Sequence, residues 1–109
     1  MIDADRYTYR VRWSAEDNEY VATVAELPSL SWLESTPAAA IEGMLRLARE
    51  TVAELEASGE TPPEPLAMRA FSGKFMVRLT PEVHRDLAIK AAEQDVSLNR
   101  LVAARLAHV

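Results

Sequence analysis

Cysteine is absent from the 109 residues, so neither a disulfide framework nor a thiolate metal site can be built, and nothing in the chain asks for an oxidising compartment. Glycine is scarce. Gly43, Gly59 and Gly73 are too few and too scattered for a phosphate-cradling loop, and neither G-x-S-x-G nor H-E-x-x-H occurs. The two histidines, His84 and His108, fall in different predicted helices with no Cys or Asp cluster at ligand spacing. No metal and no cofactor is expected. No apolar run approaches the roughly 18 residues a membrane span needs, and the start Met1-Ile2-Asp3-Ala4-Asp5 is acidic where a signal peptide is basic. The expectation is a cytoplasmic protein with no membrane partner.

What is present is divided by charge. The net charge of -5 hides an acidic front and a basic rear. Residues 1–65 carry five Lys/Arg against thirteen Asp/Glu, a net of -8, and residues 66–109 carry seven against four, a net of +3. Such asymmetry is what two partners of opposite charge would require; an acidic surface kept for solubility would give the front half the same composition.

In the front half, Tyr7, Tyr9, Val11 and Trp13 alternate with Thr8, Arg10 and Arg12, which predicts a strand with one covered face. The polar stretch Ser14–Glu19 is turn material, and residues 20–25 resume a strand, so the two form an antiparallel hairpin ending before Pro28. A short third strand is expected over residues 31–34. Thr36-Pro37 then caps and opens the longest helix, with Ile41, Met44, Leu45, Ala48, Val52 and Leu55 on the face that covers the sheet. Gly59 with Pro62-Pro63 ends it near Ser58. The proline-rich, acidic stretch from Glu60 to Pro65 suits a stiff spacer.

In the rear half, Phe75, Val77 and Leu79 alternate with Lys74, Met76 and Arg78, which predicts a short strand with an apolar side and a basic side. Thr80-Pro81 starts a helix with Val83, Leu87, Ala88 and Ala91 on one face; Asp95 and Val96 form a turn, and Ser97 caps a second helix striped by Leu98, Leu101, Val102 and Leu106. One strand and two short helices cannot bury themselves alone, so a homodimer is expected with Phe75, Val77, Leu79, Leu98, Leu101 and Val102 as its core, tetramers remaining open.

The K-x-M-x-R alternation, the Leu79-Thr80-Pro81-Glu82 junction and Val96-Ser97-Leu98-Asn99 resemble the ribbon-helix-helix proteins of the Arc and MetJ type, which read DNA with paired strands. The departure is Asp95, where that family usually has glycine. The resemblance implies operator DNA as a partner, base contacts from Lys74, Met76 and Arg78, and phosphate contacts from Ser97 and Asn99 at a helix N-terminus.

Taken in order, YTYRVRWS and its polar turn, LPSLSWLESTPAAA, FSGKFMVRLTPEVHRDL and VSLNRLVAARL resemble the HicB family of bacterial antitoxins. The fold class this implies is α+β: an N-terminal domain over 1–65, a small antiparallel sheet covered by one helix and looking like a degenerate RNase H fold; a linker over 66–72; and a C-terminal ribbon-helix-helix dimer over 73–109. The function it implies is the antitoxin of a type II toxin-antitoxin pair, masking a HicA-like ribonuclease toxin with the N-terminal domain and repressing the operon with the tail. Trp32, Glu26 and Glu34 are the candidates for toxin contact, an aromatic anchor with carboxylates to meet a basic partner, while Trp13 is expected in the core.

No enzymatic activity is expected. Two-metal nuclease chemistry needs converging carboxylates, whereas Asp17 and Glu19 fall in a turn and the strand positions facing the helix are apolar or aromatic. The alternative from a different class is a stand-alone ribbon-helix-helix regulator whose N-terminal domain senses a small molecule or oligomerises; a small basic protein encoded beside this one separates the two.

Overall fold

The structure, a computed structural model, describes residues 1–108; Val109, the last residue of the expected tail, lies outside them. Two compact units divide the chain, Met1–Phe71 and a second beginning at Ser72.

The first unit is a three-stranded antiparallel sheet in the order β1-β2-β3, with β1 at Tyr9–Ser14, β2 at Glu19–Val24 and β3 at Ser31–Glu34. Its register pairs Tyr9 with Val24, Val11 with Ala22 and Trp13 with Tyr20, and sets Trp32 beside Ala22 and Glu34 beside Tyr20. Because strand side chains alternate, these residues share one face. Helix α1, Pro37–Ala57, lies on that face as the heptad-like stripe requires. Ala40, Met44, Ala48 and Val52 from the helix meet Ala22 and Val24 from the sheet and Ala4, Tyr7 and Leu27 from the flanking loops. Ala22, Ala40 and Ala48 are completely buried; small side chains there let helix and strand come close.

Local chemistry sets the helix ends. Thr36 Oγ accepts from the Ala39 amide at 3.2 Å, with Pro37 behind it. At the far end Gly59 takes φ +81°, Gly59 N–H bonds the Glu56 carbonyl at 3.2 Å and Glu60 N–H reaches back to Leu55 at 2.8 Å. This double return is a Schellman stop. The stretch expected as a spacer does not leave the unit. Pro62 and Pro65 are buried, Tyr7 Oη donates to the Pro63 carbonyl at 2.7 Å, and Leu66 N–H donates to Glu26 Oε2 at 3.0 Å.

The second unit is two packed helices, α2 at Pro81–Glu93 and α3 at Leu98–Leu106. Thr80 Oγ caps α2 by accepting from Val83 N–H at 3.3 Å, and Ser97 Oγ caps α3 by accepting from Arg100 N–H at 3.0 Å. Between them Asp95 sits at φ 56°, its N–H bonding Ala92 and the Val96 N–H bonding Ala91. The stop of α2 is the same Schellman geometry with aspartate in the left-handed position where glycine is the usual occupant.

The expected strand over residues 74–79, and with it the ribbon-helix-helix fold class, is overturned: the tail has two helices and no strand among the described residues. From Phe75 to Leu79 no residue joins a backbone–backbone hydrogen bond among the described residues. The alternation of Phe75, Val77 and Leu79 reports only that the segment has two faces. A strand is a pairing, and within this unit the remaining regular elements are helices that offer no edge.

Candidate functional site

Few side chains hold the second unit together. Among its described residues only Ala91 and Leu101 are buried. Phe75 is 77 % exposed, Met76 83 %, Val77 54 % and Leu79 49 %, a concentration of apolar surface that single-chain folding does not cover. Of the six residues expected in a dimer core, Phe75, Val77, Leu79, Leu98 and Val102 line one open cleft of about 260 Å³, together with His84, Leu87 and Asn99. Leu101 stands apart, buried within the unit.

The expected DNA-contacting residues lie around the same region. Lys74 borders a second shallow cleft with Phe75, Val77, Asn99 and Val102. Lys74, Met76, Arg78, Ser97 and Asn99 are all exposed, and neither Lys74 nor Arg78 forms an ion pair among the described residues. Lys74 borders the same cleft as Asn99 at the start of α3, so one uncommitted cation stands near the first amides of that helix.

In the first unit the three residues expected to meet a toxin have different fates. Glu26 is buried at 8 % exposure, and its carboxylate is fully used: Oε1 accepts from Thr8 N–H at 2.9 Å, and Oε2 accepts from Thr8 Oγ at 3.2 Å and from Leu66 N–H at 3.0 Å. Burial pushes its pKa up, but the amides of Thr8, Leu66 and Glu26 itself, with the Thr8 hydroxyl, outweigh that and hold it below the usual carboxylate value. Glu26 is a clasp for the arm after α1. Trp32 is half-buried against the core, its Nε1 donating to Glu34 Oε2 at 2.9 Å and its ring lying 5.4 Å from the Arg46 guanidinium.

Trp32 is also why residue 43 is glycine. A Cβ at Gly43 would collide with the indole at Nε1, Cδ1 and Cε2. The signal was legible, since glycine inside an amphipathic helix costs about 1 kcal/mol relative to alanine and asks for a packing reason. Trp13 reverses the sequence expectation. It stands on the helix-covered face but is 50 % exposed, packed edge-to-face on Tyr20 with ring centroids 5.0 Å apart. The alternation gives the face of the sheet correctly; it says nothing about how far along that face the helix extends.

Two tyrosines seal the other end of the core. Tyr9 Oη donates to the Ala4 carbonyl at 2.6 Å, and burial, with the Asp5 carboxylate nearby, pushes its pKa up to about 12. Asp5 is itself held below its ordinary value by the hydrogen bond from Arg49 Nε at 2.7 Å. Among the described residues no three His, Asp or Glu side chains are placed to hold a metal ion. Asp17, Glu19, Glu26 and Glu34 form no such group, and no described helix is long and apolar enough to cross a membrane.

Compared with known families, residues 56–106 match the HicB family, just under half of the chain and including the arm after α1 and both tail helices. No curated protein and no solved structure matches the chain.

Proposed function

We propose that the chain is the antitoxin of a type II toxin-antitoxin pair, in which the first unit neutralises a HicA-like ribonuclease toxin and the second unit binds operator DNA and self-associates. The observation that carries this is the HicB-family match over residues 56–106. The division of charge supports it, because an acidic sheet-and-helix unit is suited to a basic, RNA-binding partner and a basic tail to DNA.

Self-association rests on the exposed cleft of Phe75, Val77, Leu79, Leu98 and Val102, where each side chain covered contributes roughly 1.5–3 kcal/mol. DNA contact is assigned to Lys74, Met76 and Arg78 on the segment before α2 and to Ser97 and Asn99 at the start of α3. Arg78→Ala should weaken operator binding by about 1–3 kcal/mol and relax base preference, whereas Ser97→Ala should weaken all sequences alike.

The test is co-expression of the full chain with the small basic protein encoded beside it, scoring growth, together with a gel-shift titration on the promoter they share. Growth rescue with a retarded promoter band supports the reading. A retarded band without rescue leaves the alternative, a stand-alone regulator.

A further inference from the structure

One end of the sheet is left open by α1, and it is not a neutral surface. On the face that α1 covers, the last cross-strand row is Trp13, Tyr20 and Glu34. Trp13 is half exposed and packs edge-to-face on Tyr20. Immediately beside it the β1–β2 turn carries Glu16 and Asp17, and β2 opens with Glu19. None of these four acidic residues takes part in an ion pair among the described residues. Arg10 and Arg12, the nearest cations along the strand, alternate onto the opposite face together with Glu19, which pairs with Ser14, and do not neutralise the Trp13 side.

We propose that this shelf, Trp13 on Tyr20 with Glu34 in the same cross-strand row and Glu16 in the adjoining turn, is the docking surface for the basic protein partner. The inference rests on the antitoxin reading above and names the place where that partner sits. A half-exposed tryptophan supplies the apolar anchor that charge alone lacks; tryptophan is among the residues most enriched at interface hot spots. The carboxylates around it select the occupant. A phosphate backbone or an anionic lipid surface would be repelled, whereas an arginine or lysine side chain can stack its cation on the indole face while its neighbours meet the rim. Trp32 does not fill this role, because its ring is packed on Gly43 and the core and its N–H is engaged by Glu34.

The experiment is surface plasmon resonance of the full chain against the basic protein encoded beside it, which reads both affinity and association rate, for the parent and three variants. Trp13→Ala should weaken binding about 30-fold or more, the loss of a hot-spot side chain. Glu16→Gln with Glu34→Gln, which leaves the anchor in place and keeps an acceptor for Trp32 Nε1, should slow association and flatten its salt dependence. Leu33→Ala, on the opposite face of the sheet, should bind as the parent does. A parent chain that does not bind overturns both the antitoxin reading and this site. A parent that binds while Trp13→Ala and the double glutamine variant bind equally well overturns the site alone. Should Trp13→Ala fail to fold, the double glutamine variant decides: unchanged association kinetics would refute the shelf.

Discussion

Replacing Gly43 by alanine should destabilise the first unit, although the same change in an unconstrained helix does the opposite. On propensity alone alanine gains about 1 kcal/mol over glycine in a helix interior. At position 43 the new Cβ meets the Trp32 indole at three ring atoms, and the indole is not free to retreat. Its Nε1 is tied to Glu34 at 2.9 Å, Arg46 lies over the ring, and the inner edge packs against the core. Overpacking of this kind costs roughly 1–3 kcal/mol, and outright ejection of the ring is bounded by the ~3–5 kcal/mol of deleting a buried tryptophan. Against the propensity gain, a net loss of about 2 kcal/mol is expected. In urea, with a slope of roughly 1–3 kcal/mol per molar, the midpoint should fall by about 1 M. The decisive measurement is a double-mutant cycle at fixed protein concentration. In a Trp32→Ala background, Gly43→Ala should turn stabilising by about 1 kcal/mol, giving a coupling of about 3 kcal/mol between the two positions. If Gly43→Ala raises the midpoint when Trp32 is present, the close approach of helix and indole is refuted.

Three further outcomes follow from other parts of the chain. Glu26 has a folded pKa held below its ordinary value of 4.5, so its stabilising contribution is present above that value and is lost as pH falls through the folded pKa. The protection factor of the Leu66 amide, measured by NMR hydrogen exchange and corrected for the intrinsic rate, should therefore fall in acid, and Glu26→Ala, which orphans the Thr8 and Leu66 amides, should cost about 2 kcal/mol or more in chemical denaturation. Asp95 occupies a left-handed position at φ 56°; Asp95→Gly should stabilise the tail by up to about 1 kcal/mol, read as a higher melting temperature, and a decrease would mean that the aspartate side chain holds the turn. Melting of the tail should rise with protein concentration, because only Ala91 and Leu101 are buried among its described residues. A concentration-independent transition would show that the cleft stays open to water.

Wherever the decisive chemistry was local, the residues themselves announced the structure. Thr36-Pro37, Thr80-Pro81 and Ser97 start the three helices because a side-chain oxygen within reach of an orphan amide needs nothing from the rest of the fold. The hairpin and the third strand were legible because alternation is a property of the backbone. The helix stripe was legible in part: Met44, Ala48 and Val52 are in the core, but Ile41, Leu45 and Leu55 are only half-buried and Ala40 and Leu47 pack there instead. Three things were not legible. Trp13 and Trp32 are both strand tryptophans on the same face, and only the packing of α1 decides that the second is enclosed and the first is left half in water. Glu26 reads as surface charge until the arm after α1 folds back and gives it the Leu66 amide 40 residues away. Residues 74–79 carry a clear strand pattern and form no strand, because pattern specifies faces, while hydrogen-bond partners come only from whatever else the tertiary structure brings alongside.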